Sequence, residues 1–105
     1  MYEFSVLRRR HGIALVHICA GRYDEASSWA EKALLENPNY HPALRVFAAS
    51  NALAGRLEDA QKAVARLREI DPTLRVSDLR DLIGLRRPVD FARYAEGLRK
   101  AGLPE

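Results

Sequence analysis

The stretch Gly21-Arg22-Tyr23-Asp24-Glu25-Ala26 returns 34 residues later as Gly55-Arg56-Leu57-Glu58-Asp59-Ala60. The same offset relates Asn37-Pro38 to Asp71-Pro72, Ile13 to Phe47, Ala14 to Ala48 and Ala33 to Leu67. A period of this length marks stacked helical hairpins, in which no single hairpin can bury its apolar face alone. Each marker has a physical task. Gly21 and Gly55 fall where a helix ends and the chain turns, and glycine takes the left-handed conformation there without steric cost. Ala26 and Ala60 are small residues early in the next helix, where two antiparallel helices approach closely. Pro38 and Pro72 end the second helix, because proline lacks the N–H and clashes with the preceding turn.

Between the markers, apolar residues follow the helical period. The expected helices are 4–20, 24–36, 42–54 and 58–70. In the second, Ala26, Trp29, Ala30, Ala33 and Leu34 fall at i, i+3, i+4, i+7 and i+8. Asp24-Glu25 and Glu58-Asp59 stand in first turns, where the helix dipole accounts for them better than acid–base work does. Helix one is apolar on more than one face. Ile13, Ala14, Val16, His17 and Ala20 are assigned to the neighbouring helix and Leu15 and Ile18 elsewhere, so further cover is expected. Helix three offers Leu44, Phe47, Ala48 and Leu53 as core; helix four offers Ala60, Ala63, Val64, Leu67 and Ile70. After Pro72 the markers stop. Ser77 is placed as the N-cap of a short helix, 78–83, ending near Gly84. Pro88 opens a last helix to Ala101, with Phe91, Tyr94, Ala95, Leu98 and Ala101 as its apolar set. These two final helices have the character of a terminal cap.

The pattern Gly-x-Tyr/Leu-x-x-Ala, with Pro twelve residues beyond the Ala, twice at a spacing of 34, resembles the tetratricopeptide repeat. The resemblance implies an all-α, right-handed stack of helical hairpins in one domain. Repeat one would span 7–40, repeat two 41–74 and the cap 75–105. Two family positions differ: Arg10 and Leu44 replace the usual Trp, and Ala14 and Ala48 the usual mid-helix Gly. A narrower resemblance lies in Asp71-Pro72-Thr73-Leu74-Arg75-Val76-Ser77, Arg87-Pro88 and Tyr94 to Pro104. This ending is similar to the C-terminal repeats of bacterial, rhizobial-type class III adenylate cyclases and related regulators. No cyclase domain lies within the 105 residues.

In tetratricopeptide stacks the first helix of each hairpin lines a concave face that takes a peptide. The matching positions are Arg8, His11, Leu15 and Ile18 in repeat one, Arg45, Val46, Ala49 and Ala52 in repeat two, and Arg80 in the degenerate unit. The Lys/Asn/Arg clamp with which chaperone-binding members hold a peptide carboxylate is missing, since His11, Leu15, Val46 and Ala49 stand there. A mostly apolar groove edged by Arg8, Arg45 and Arg80 suits an amphipathic helix or an acidic–apolar peptide. The occupant is a partner protein or peptide, a second copy in a homodimer, an upstream effector domain, or the chain's own last helix. The resemblance thus implies a non-catalytic protein-interaction module, with a dimerisation or regulatory appendage as the alternative.

Chemistry of other kinds finds little support. His11 and His17 are six apart, outside the spacing of a helical metal pair, so no metal or cofactor is expected. Cys19 has no activating histidine at a useful spacing, and a single cysteine fits an inert thiol in a reducing, cytoplasmic setting. The C-terminal third is basic, but Asp78, Asp81, Asp90 and Glu96 interrupt it, which disfavours direct nucleic-acid binding. No run approaches the ~20 apolar residues that membrane insertion needs. The repeat register makes a first prediction. Ala26→Leu or Ala60→Leu should overpack a close helix crossing and cost about 1–3 kcal/mol. Unchanged melting temperatures for both variants would refute that register.

Overall fold

The 34-residue period survives as a repeated set of backbone hydrogen bonds. The computed structural model describes residues 2–79 and 87–105. Five α-helices occur among the described residues: α1 (Tyr2–Cys19), α2 (Tyr23–Glu36), α3 (His41–Leu53), α4 (Leu57–Ile70) and α5 (Pro88–Ala101), with a 3-10 turn at Val76–Asp78 before α5. α1 ends at Gly21, whose φ is 80°, and α3 ends at Gly55, whose φ is 89°. At the first end, Arg22 N donates to His17 O at 2.9 Å and Gly21 N to Ile18 O at 3.1 Å. At the second, Arg56 N donates to Asn51 O at 2.8 Å and Gly55 N to Ala52 O at 3.1 Å. Both are Schellman caps, which need a left-handed residue and satisfy carbonyls that the helix leaves free.

Side chains keep the same register. Arg22 Nε donates to His17 Nδ1 at 2.9 Å, and Arg56 Nε donates to Asn51 Oδ1 at 2.6 Å. Asn37 and Asp71 each turn the chain after a second helix: their Oδ1 atoms accept from Asn39 N at 3.1 Å and Thr73 N at 3.3 Å. Such local carboxyl and amide acceptors stabilise turns where the helix can no longer continue. Asn51 has a wider role, because it is buried and its Oδ1 also accepts from Ser27 Oγ at 3.3 Å. One amide thereby ties α2, α3 and the following turn together.

α3 is the hub, packing against α1, α2, α4 and α5. Its sequence, HPALRVFAASNAL, is apolar nearly all round, and such a helix needs neighbours on every side. Ala43, Leu44, Val46, Ala48, Ala49 and Ala52 are all buried. Phe47 and Leu53, expected in the core, are only partly buried. The expected core of α2 and α5 is found in place: Ala26, Ala30, Ala33, Tyr94, Ala95, Leu98 and Ala101 are buried, with Trp29, Leu34 and Phe91 packed at its margin.

Three expectations are corrected. In α1 the buried residues are Ala14 and Ile18, whereas Val16 is 63% exposed and Ala20 is exposed. The pair Ala14/Ile18 at i, i+4 shares the packed face of α1, and Val16 lies off that face. Ile70, placed inward, is 43% exposed, because it is the last residue of α4 and lies past the packed turns. Ser77 does not cap a helix: it lies inside the 3-10 turn, and its Oγ and N both donate to Glu105 O, at 2.7 and 3.1 Å. Beyond Leu79 the expected short helix 78–83, with Gly84, lies outside the described residues.

α5 crosses α3 at very close range. A Cβ built on Gly97 would lie 2.7 Å from Ala49 O and 2.9 Å from Ala49 Cα. Both atoms are backbone, so relief requires the helices to move apart. Gly97→Ala should therefore destabilise the fold by about 1–3 kcal/mol, as overpacking does. Chemical denaturation measures it; a stability equal to that of the wild type would show that α5 does not seat on α3 in this way.

Candidate functional site

The sequence points to a concave face, and α5 packs against α3, the helix that carries its second-repeat positions. Val46 and Ala49 are fully buried, Ala52 is 3% exposed and Ile18 is 1% exposed. Of the second-repeat set, Ala49 lies directly against the chain's own last helix, and Val46 and Ala52 are buried on the same helix, α3. Arg45 is not at the rim, as expected, but 7% exposed, because α5 passes over its helix. The first-repeat set differs: Arg8 is exposed, and His11 and Leu15 are partly exposed. Arg80 lies outside the described residues.

α5 is fastened at both ends. Arg93 Nη1 donates to Cys19 O at 2.5 Å, tying α5 to the end of α1. Gly102, at φ 105°, closes α5 with a third Schellman cap, in which Leu103 N donates to Leu98 O at 3.0 Å. Leu103 is then buried, and Val76 N donates to Pro104 O at 2.8 Å. Cys19 sits beside this junction as a free, partly buried thiol. Burial and then Asp90 push its pKa up, while Arg93 and Arg87 pull more weakly the other way. It is a protonated thiol, which is poorly nucleophilic.

Beneath α5 lies a group of polar side chains in an otherwise apolar setting. His41 and Arg45 stand at i, i+4 on α3, and so share a face. His11 reaches them from α1, with its ring edge-on to Tyr40 at a centroid distance of 6.4 Å. Tyr94 reaches them from α5 and is 1% exposed. Arg45 Nε, His11 Nδ1, His41 Nε2 and Tyr94 Oη are buried and lack hydrogen-bond partners. The guanidinium lies near enough to Tyr94 to favour the phenolate slightly, but the approach is not a well-formed hydrogen bond. Burial drives the Tyr94 pKa up to about 12. Burial first and the Arg45 charge second lower His11 to about 4. His41 is lowered by the same two causes, partly opposed by Asp71. The sequence assigned Tyr94 to the core and left His41 just outside the expected helix 42–54; the i, i+4 pairing of His41 with Arg45 is the available signal.

A second concavity, of about 480 Å³, lies between the hairpin turns, lined by Gly21 to Glu25, Ala54 and Arg56. Arg56 Nη1 pairs there with Asp24 Oδ1 at 2.7 Å, joining the two repeats across the surface. Exposed pairs of this kind contribute about 0–1 kcal/mol. Among the described residues no three His, Cys, Asp or Glu gather as a metal site, and no helix is long and apolar enough to cross a membrane.

A model of the tetratricopeptide repeat matches residues 18–83. No curated protein and no solved structure matches the chain.

Acid should weaken this fold through the concave face. Unfolded His11 titrates near 6.5 and folded His11 near 4, so between these values the unfolded chain binds more protons. Stability therefore falls as pH falls through that window, by at most about 3 kcal/mol from this residue. His41, also lowered, acts in the same direction. Urea denaturation at stepped pH measures the slope. His11→Gln should flatten it between pH 6.5 and 4; an unaltered slope would mean that folded His11 is not held neutral.

Proposed function

The chain belongs to the tetratricopeptide repeat family, whose model spans more than half of it, and from that premise we propose a non-catalytic protein-interaction module whose groove takes helices. Tetratricopeptide repeats generally mediate protein–protein interaction, and the family is typically non-catalytic. One observation supports the reading: α5 packs with its backbone against Ala49, one of the expected groove positions. The face therefore accommodates an amphipathic helix, and here the chain supplies one.

The partner meets what α5 leaves open, the α1 half of the groove. Arg8 is exposed there, with Leu15 partly exposed beside it. A short apolar strip with a cation at its edge favours a segment carrying both apolar and acidic residues. Such a segment is a free peptide, a neighbouring domain of a larger protein, or a second copy of the chain. A signalling appendage, such as the tail of a nucleotide cyclase, would use the same surface.

The test is selection from a displayed library of helical peptides against the whole chain. Selected binders should be acidic and amphipathic. Arg8→Glu or Leu15→Glu should weaken them by about tenfold, one interface contact's worth. Binders indifferent to both substitutions would move the site off the concave face. Light scattering over a wide concentration range separates self-association: a concentration-independent dimer whose mass halves in Leu15→Glu assigns the strip to a second copy.

A further inference from the structure

We propose that the polar group beneath α5 is a binding site for a small tetrahedral oxyanion of the phosphate class, held by Arg45, His11, His41 and Tyr94. The proposal stands independently of the partner-binding reading. Its starting point is a charge out of balance. Arg45 is 7% exposed, its guanidinium is permanently charged, and none of the ion pairs among the described residues includes it. Buried charges in folded proteins are paired, since removal from water without compensation is costly. The charge that would balance Arg45 is an anion.

The neighbours fit that conclusion. His11 Nδ1, His41 Nε2, Arg45 Nε and Tyr94 Oη are all buried and without a hydrogen-bond partner. Arg45 and Tyr94 can donate as they stand, and a neutral imidazole can present its N–H on either nitrogen. Among the described residues Asp71 acts on His41, against burial and Arg45, and no carboxylate acts on His11 or Tyr94. Among the described residues the turn after α4 thus brings one carboxylate near His41, while α1, α3 and α5 bring donors. Donors from three helices suit an anion with oxygens on several sides. A planar carboxylate would satisfy fewer of them. The histidines agree: both are held neutral by burial and by Arg45, and a bound anion would reverse the second cause.

The test uses the whole chain and inorganic phosphate, titrated at constant ionic strength against chloride by calorimetry and by ³¹P line broadening. Single-site, saturable binding is expected. Arg45→Met should abolish it. Tyr94→Phe, which keeps the packing and removes only the hydroxyl, should weaken it by about tenfold, the size of one hydrogen bond to a charged group. If Arg45→Met fails to fold, Tyr94→Phe and the His11 ring resonance decide: in phosphate the His11 midpoint should rise above about 4. Absent saturation in the wild type overturns the proposal, as does undiminished affinity in Tyr94→Phe. Acetate that binds more tightly than phosphate overturns the tetrahedral assignment and gives the site to a carboxylate.

Discussion

The contact between Gly97 and Ala49 decides how the rest of the chain can pack. Two hairpins alone leave α3 with an uncovered apolar side, and stacks of this kind need about three units to be stable. α5 supplies the missing layer, but only because it can approach the α3 backbone. At Gly97 any Cβ would meet Ala49 O at 2.7 Å. With the helices at that range, Leu98 and Ala101 are buried and Tyr94 is carried under the surface. The chain end follows, and Leu103 and Pro104 are held against the 3-10 turn.

Close approach is the theme throughout. Ala14, Ala26, Ala30, Ala33, Ala43, Ala48, Ala49 and Ala60 are fully buried, so much of the interior is alanine. Alanine brings little apolar area per residue, but it lets helix backbones near one another, where many weak dispersion contacts accumulate. The cost of such a core is intolerance. A methylene added at a helix crossing has no slack side chain to displace, only backbone.

The turns were legible in the sequence because each marker residue has one conformational task. Gly21 and Gly55 need positive φ, and Asn37 and Asp71 offer an oxygen to a nearby backbone N–H. Those tasks are local, and so the 34-residue period carries them. The destination of α5 was not legible, because it is a long-range contact with no repeat partner to compare. A sign of it was present in Gly97, a glycine inside an otherwise helical pattern, which marks close backbone approach. The face of α1 was misjudged for a related reason. Ile13, Val16 and Ala20 are as apolar as Ala14 and Ile18, and only the placement of the neighbouring helices separates the buried pair from Val16. Arg45 was placed at the rim because an arginine in a groove is expected to reach water. Here α5 closes the way out.

That closure reshapes what the concave face can do. Val46 and Ala49, which the sequence placed in an open groove, are no more accessible than the core. The attachment combines the Gly97 crossing, the Arg93 bond to Cys19 O and the bonds from Val76 and Ser77 to the chain end. α5 thus acts as a wall of the stack, built from the chain itself. An ordinary wall would be apolar throughout, because an apolar replacement for a buried charge is often neutral or stabilising. This one instead presents Tyr94 to Arg45 and two histidines, and leaves an oxygen and three nitrogens unpartnered. A two-repeat stack with so small a core has little stability to spare for such groups. Their presence at the junction of three helices is what separates this packed interface from a simple hydrophobic seam.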